Sequence, residues 1–309
     1  MHNKSCLKFL LIILSPLLIA VCLLSCSNDK VISDKRLLMG TTVEITALGK
    51  DKKHLRNAIN RAFYEIKKID ISMNYYDKDS QLSKLNNEAK NKPYKVDKDL
   101  YYIVDKCIKF GKITDGAFDI TATSLDEPNG YKDIILNRDD RTIYFRNPNL
   151  KIDLSAAAKG YAVDKAIYSL KKSDIKNALV NAGGDIRTLG KYKDKRWSIG
   201  IRDPEATNKI ILTIKLADKA VATSGNYLRQ HIIDTKKNDR DKDNIKVFSS
   251  TVIADNCITA DILATSMFIM DKEGISLIDK MNAVEGLLIV AKDKKTNFIE
   301  SANFNIYYK

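Results

Sequence analysis

The chain has 309 residues, of which 44% are hydrophobic, and it carries a formal net charge of +13. That length suffices to bury a sizeable core, as one large domain or two small ones. Five cysteines are too few for a disulfide scaffold, and the lysines are scattered among Asp and Asn rather than blocked and interleaved with aromatics, which argues against a nucleic-acid reader.

The first 30 residues read as a bacterial lipoprotein signal. Lys4 and Lys8 supply positive charge, and an apolar run over 9–24 is broken only by Ser15 and Pro16. It ends in Leu23-Leu24-Ser25-Cys26, a small-residue cleavage site. The run is short for a spanning helix, which needs about 20 clean apolar residues. A thiol at the cleavage point can carry a diacylglycerol, so lipidation at Cys26 would anchor the chain. The alternative is a plain secretory signal with an incidental Cys26. Either way the chain works outside the cytoplasm, on the periplasmic side of a bacterial membrane, inner or outer. Cys6 and Cys22 leave with the signal. Cys107 and Cys257 remain in apolar surroundings and are expected in the core. A basic surface beside anionic lipid would add weak electrostatic adhesion.

The expected organisation is a signal over 1–25, a polar tether over 26–36 and one domain over 37–309. A strand is predicted over 39–48 and an amphipathic helix over 54–71, where Leu55, Ile59, Ala62, Ile66 and Ile69 share a face. Residues 72–97 read as irregular, with a short helical piece near 80–86. A helix follows over 98–112, with Ile103, Cys107 and Ile108 as its stripe. Residues 114–140 read as loop, 142–146 and 151–154 as strands, and 159–171 as helix. Further strands are predicted at 178–181, 197–201, 210–216, 220–223 and 251–254. The run of Lys, Asp and Asn over 235–246 reads as an exposed loop. Helices over 259–270 and 272–282 precede a buried strand at 286–291, and 297–308 has room for one or two more. Antiparallel-looking strand clusters between helices make the class α+β.

Five polar or glycine-rich islands interrupt the apolar pattern. Asp115-Gly116-Ala117-Phe118-Asp119-Ile120-Thr121 is a loop with two carboxylates that lines a pocket or makes a simple turn. Asp153-Leu154-Ser155-Ala156-Ala157-Ala158-Lys159-Gly160 runs into a helix whose free N–H groups suit phosphate, with Lys159 adding charge. Ordinary capping by Asp153 or Ser155 is the alternative. Asn181-Ala182-Gly183-Gly184-Asp185 ends a strand and lets backbone approach a ligand, or is a glycine turn. Thr223-Ser224-Gly225-Asn226-Tyr227 leads to His231-Ile232-Ile233-Asp234. With His2 in the signal and His54 on a surface helix, His231 is the one strong general-base candidate. In Ala260-Asp261-Ile262-Leu263-Ala264-Thr265, Asp261 and Thr265 are four apart on one helix face. That spacing suits Mg²⁺, or Thr265 bonding back to its own helix with Asp261 compensating the dipole.

In their order, these islands resemble the ApbE family, together with Met39-Gly40-Thr41, the Tyr76…Asp79-Ser80…Leu82-Ser83…Leu85-Asn86 segment and Gly160-Tyr161-Ala162-Val163-Asp164. The family's members are FAD:protein FMN transferases, usually exported lipoproteins, and the resemblance spans about residues 37–290. It implies an α+β fold of mostly antiparallel sheets flanked by helices, with FAD as substrate and Mg²⁺ as cofactor. It implies transfer of FMN through a phosphoester to a Ser or Thr hydroxyl of an exported redox protein, with release of AMP. Carried over, Met39, Tyr76, Ala117, Phe118, Asp119, Asp153, Lys159 and Ile233 contact FAD. Asp261 and Thr265 hold Mg²⁺ with backbone help from Ala156, Ala264 being a further candidate, and His231 deprotonates the acceptor hydroxyl.

The chain departs from the family pattern at Ser155-Ala156, which replaces Gly-Gly. It departs again over 235–240, where a Pro-x-Thr-Gly-x-Pro turn is usual, and over 125–131, which lacks an aromatic Leu-Trp-Gly-Phe piece. Two rivals follow: a lipoprotein that hydrolyses FAD to FMN and AMP, and a flavin-binding or adhesive lipoprotein without catalysis.

Overall fold

The computed structural model describes residues 29–124, 130–206, 208–225, 246–292 and 295–309. The chain opens with strands β1 (Lys30–Leu38) and β2 (Thr41–Gly49), followed by helices α1 (Lys52–Ser72) and α2 (Gln81–Glu88). Strand β3 (Tyr94–Lys95), helix α3 (Lys98–Ile113), and strands β4 (Ile134–Asn137) and β5 (Thr142–Phe145) come next. Helix α4 (Ala158–Lys172) leads into β6 (Asn177–Ala182), β7 (Asp185–Leu189), β8 (Trp197–Arg202), β9 (Ile210–Leu216) and β10 (Ala220–Gly225). The rest is β11 (Lys246–Ala254), α5 (Cys257–Met270), α6 (Lys272–Ile278), β12 (Glu285–Lys292) and β13 (Lys295–Glu300). The class is α+β, as expected.

Eight strands form one sheet in the order β1-β2-β6-β7-β10-β11-β12-β13, with every neighbouring pair antiparallel. Alternation along the strands gives the sheet two dry faces. Val43, Ile45, Val180, Ala222, Val252 and Leu288 point to the helical side, where they join the buried stripes of α1, α4 and α5. Ile186, Val221, Ile253 and Leu287 point to the other side, which the β8–β9 hairpin and the turn Phe304–Tyr307 cover. The predicted stripe of α1 is buried along its whole length, as are Ile103, Cys107 and Ile108 of α3. Cys107 and Cys257 are both free and buried, and burial pushes both thiols up. Among the described residues no helix is long and apolar enough to cross a membrane.

Several elements differ from expectation. Residues 30–36, read as tether, form most of β1, because β2 offers a full antiparallel partner from Lys30↔Gly49 to Leu38↔Thr41. Residues 151–154 form no strand. Ile152 is held instead by the Asn86 side chain, which accepts from its N–H and donates to its C=O at 2.9 Å each, and the Asp153 N–H donates to the Ile120 carbonyl. β4 lies within the expected loop 114–140, and β7 follows the Gly183-Gly184 turn where no strand was predicted. β11 begins at Lys246, well before 251. After β13 the chain turns as a 3₁₀ helix rather than making another strand. Ile210, expected on the dry face of β9, is 55% exposed, while Ile214 and Leu216 are buried. The expected loop over 235–245 lies outside the described residues.

Helix α5 is apolar all round and buried on every side, which fits a helix clamped between α4 and the sheet. Its N-terminus is closed by two groups. Asn256 accepts from the Thr259 N–H at 3.1 Å, and Asp164 of α4 accepts from the N–H of Cys257 and of Ile258 at 2.8 and 3.0 Å. Asp164 also takes a 2.6 Å bond from Arg187 of β7. Burial pushes the Asp164 carboxyl up, against the pull of Arg187 and the two amides. Asp164→Ala should therefore strand two helix-terminal amides and remove the partner of Arg187. The expected loss is about 3 kcal/mol, read as a lowered denaturation midpoint. An unchanged midpoint would remove Asp164 from this role.

Candidate active site

At one end of the large sheet two tight turns lie side by side. Met39 and Gly40 both take positive φ, 52° and 69°, and join β1 to β2 as a two-residue hairpin turn. Gly183 and Gly184, at φ 63° and 104°, join β6 to β7. The Gly183 N–H donates to the Thr42 carbonyl at 3.3 Å, and a Cβ on Gly183 would lie 2.6 Å from the Thr41 hydroxyl. This second turn therefore needs glycine for close approach as well as for φ. The Asn181 side chain steadies it by accepting from the Gly184 N–H at 2.9 Å.

Asp185 follows this turn, buried, and pairs with the Lys159 ammonium from the start of α4. The same ammonium lies 3.9 Å from an Asp261 oxygen on α5. That oxygen accepts from the Gly160 N–H at 3.1 Å. Gly160 has no room for a side chain, since a Cβ would lie 2.6 Å from the Cys257 carbonyl and 2.9 Å from the Asp261 Cβ. Glycine thus lets α4 and α5 meet closely enough for a backbone amide of one to reach a carboxylate of the other. One turn on, the Thr265 hydroxyl lies 3.1 Å from that of Ser224 on β10, both buried. Ser250, the register partner of Ser224 on β11, is wholly buried, and its hydroxyl has no hydrogen-bond partner among the described residues.

Lys159, Asp261 and Thr265 are thus brought together with Asp185, Ser224 and the Gly183-Gly184 turn. Thr265 pairs across to the sheet rather than back to its own helix, and α5 is capped by other residues. α4 has no side-chain cap at Ala157, while Asp153 accepts from the Ser155 N–H at 2.8 Å instead. The capping alternative for Asp153 and Ser155 is therefore not what these residues do; at the start of α4 the Ala158 N–H donates to the Leu154 carbonyl at 2.8 Å and the Gly160 N–H to Asp261. Ala156 sits half-buried in the turn just before α4.

The Asp119 loop is tied to the same segment through the Ile120–Asp153 bond. Asp119 accepts from the Thr121 N–H and hydroxyl at 2.8 and 2.7 Å and from the Tyr131 N–H at 3.1 Å. It holds its own loop together. Ala117 and Phe118 are buried, 1% and 3% exposed, so their side chains belong to the core. A ligand there would meet backbone. Met39 packs partly against the core from its turn. Tyr76 is 91% exposed, edge-on to Tyr75 at 5.5 Å. His231, Ile233 and Cys26 lie outside the described residues. The segment carrying His231 and Ile233 connects Gly225 of β10 to Lys246 of β11.

Sequence reasoning assigned no role to Asp185, Asp164 or Ser250. Asp185 had a signal, the Gly-Gly-Asp island. Asp164 lay within a quoted motif, but its cap crosses to a helix more than ninety residues away. Ser250 had none, since Ser249 and Ser250 look like any hydroxyls in a strand.

Among the described residues no group of three or more His, Cys, Asp and Glu is placed to hold a metal ion. The donors that do converge are hard oxygens: the buried carboxylates of Asp185 and Asp261 and the hydroxyls of Thr265 and Ser224. With Lys159 between Asp185 and Asp261, the formal sum is one negative charge. That set fits a small hard cation completing its shell with substrate phosphate and water, as Mg²⁺ does, and does not suit a soft metal.

The chain matches the model of the ApbE family over residues 39–128 and 124–288. It is 31% identical over 303 residues to an FAD:protein FMN transferase of Vibrio cholerae, covering 86% of this chain and 89% of that protein. The crystal structure of an ApbE protein from Thermotoga maritima superposes with a TM-score of 0.79 at 28% identity, covering 91% of this chain and all of that one. The flavin transferase ApbE from Vibrio cholerae gives 0.77 at 29% identity, covering 90% and 99%. With most of its length matched in both sequence and fold, this chain belongs to the ApbE family.

Proposed function

We propose that this protein is a lipid-anchored, Mg²⁺-dependent FAD:protein FMN transferase. It would move FMN from FAD to a Ser or Thr hydroxyl of an exported redox protein and release AMP. The observation that carries the reading is the meeting of Lys159, Asp261 and Thr265 at the start of α4. A pyrophosphate placed there meets the positive end of a helix and one ammonium, and both favour an anion. Asp261 and Thr265 would hold Mg²⁺ with Ala156, and the ion, when bound, supplies the positive charge that a departing phosphate needs. Gly160 fixes the orientation of Asp261 through its N–H. Met39 offers a thioether for a flat flavin ring, which suits its polarisability. His231 is the base that takes the acceptor's hydroxyl proton. The rival, hydrolysis of FAD to FMN and AMP, uses the same groups with water in place of the hydroxyl.

Purified protein incubated with FAD, Mg²⁺ and a candidate acceptor separates these readings. Flavin fluorescence on the acceptor band supports transfer; FMN and AMP without labelling support hydrolysis. Unchanged FAD would sink both.

Asp261→Asn should lower turnover by at least about 100-fold while leaving the melting temperature in metal-free buffer nearly unchanged, since the amide oxygen still accepts from Gly160 but carries no charge. Near-wild-type turnover at low Mg²⁺ would remove Asp261 from metal binding. His231→Ala should slow transfer by about 10²–10⁴-fold and leave FAD affinity within a few-fold. Full transfer with weakened folding would make His231 structural instead. Cys26→Ser should move the protein from the membrane fraction to the soluble one, and retention on membranes after a high-salt wash would overturn the anchor.

A further inference from the structure

The end of the large sheet remote from the candidate site is where the chain enters the fold. β1 starts at Lys30, opposite Gly49. Register carries this end across the sheet, from Leu48 opposite Asn177 to Ala178 opposite Leu189. Farther across the sheet this end carries Asp218, Asp255, Asp279 and Glu285 beside Lys219 and Lys280, while over β2, β6 and β7 the connections that leave or enter here are residues 50–53, 171–176 and 190–196. They hold ten Lys or Arg against three Asp, and all thirteen are exposed. The two turns beside the candidate site, Met39-Gly40 and Gly183-Gly184, carry no charge, although the sequence that joins β10 to β11 from that end is rich in Lys, Arg and Asp.

This lysine cluster has no folding explanation at its most telling point. Lys52 and Lys53 occupy the first turn of α1, which has no acidic residue. Cations there oppose the helix dipole. Lys171 and Lys172 do complement the end of α4, so they have a structural reason as well. Asp51 is engaged as the cap of α1, accepting from the Lys53 N–H at 2.8 Å. Lysines placed against a local rule, and gathered with others on one end, point to a partner of opposite charge.

We propose that this lysine-rich end docks on an anionic phospholipid bilayer and holds the Met39 and Gly183 end away from it. The orientation rests on the lipid anchor proposed above. Cys26 precedes Lys30 by four residues, a reach of at most about 14 Å. An acyl chain there keeps Lys30 and its neighbours within roughly two Debye lengths of the headgroups. β1 then rises over nine residues, about 26 Å at about 3.3 Å per residue step, to the turn beside the site. The FAD pocket would open away from the membrane, where an exported protein can reach it.

The test uses the native lipidated protein on vesicles of phosphatidylcholine alone and of phosphatidylcholine with phosphatidylglycerol. Hydrogen exchange is read on peptides covering 50–54 and 191–196. Slower exchange of both on the anionic vesicles, reversed by high salt, is the expected result. The variant Lys52→Glu/Lys53→Glu/Lys191→Glu/Lys193→Glu should lose that protection and keep flavin transfer to a soluble acceptor. It should fold, because glutamate suits the first turn of α1. Equal exchange on both vesicle types, or protection at 181–185 instead, would overturn the proposal. The anchor is read separately, by retention on pure phosphatidylcholine. If it fails there, binding of the protein to phosphatidylglycerol vesicles, weakened about 100-fold or more in the variant, still decides for or against the basic face.

Discussion

The Gly160 amide bonded to the Asp261 carboxylate holds the candidate site together. It joins the first turn of α4 to the second turn of α5, and it exists only because residue 160 has no side chain. A carboxylate buried to 1% exposure is costly unless its oxygens are satisfied. Here an amide and a nearby ammonium do so. Because α4 and α5 are also clamped by Asp164 at the start of α5, the carboxylate stays fixed relative to the sheet end.

From that contact the rest of the site follows in a physical order. Fixing Asp261 places Thr265 one turn further along the same helix, against Ser224. Fixing the start of α4 places Lys159 between two carboxylates, with the Gly160 amide of the same turn taken by Asp261. The glycine turn brings Asp185 to the same point. Positive helix end, ammonium and buried carboxylates then stand side by side, an arrangement that suits a phosphate and a hard cation bound together. The outer elements play a different part. Asn86 and Asp119 are polar residues of the quoted motifs, yet both are spent on holding backbone: Asn86 clamps Ile152 and Asp119 closes its own loop. They shape the wall of the site without presenting free side-chain groups to it.

The same fold separates two surfaces. Antiparallel pairing sends the chain back and forth between the ends of one sheet, so every connection falls at one end or the other. The two small turns beside the site are uncharged, and three lysine-rich connections lie side by side at the end where β1 begins. Lysines far apart along the sequence are thereby brought together in space.

The sequence by itself determined the helices whose apolar period is strong, such as α1 with Leu55, Ile59 and Ile66, and it placed Asp261 and Thr265 on one helical face. Both are local consequences of 3.6 residues per turn. It also marked Gly183-Gly184 and Lys159 as islands, and the order of such islands identified the family. Tertiary structure alone decided the rest. Residues 30–36 became a strand because β2 was there to pair with them, and 151–154 did not because a side chain, Asn86, took the place of a partner strand. Ala117 and Phe118 went into the core, while Tyr76 stayed exposed. The bonds that build the site, Gly160 to Asp261 and Asp164 to Cys257, span 101 and 93 residues. No local pattern encodes such contacts, because they depend on which surfaces meet once the hydrophobic faces have been buried.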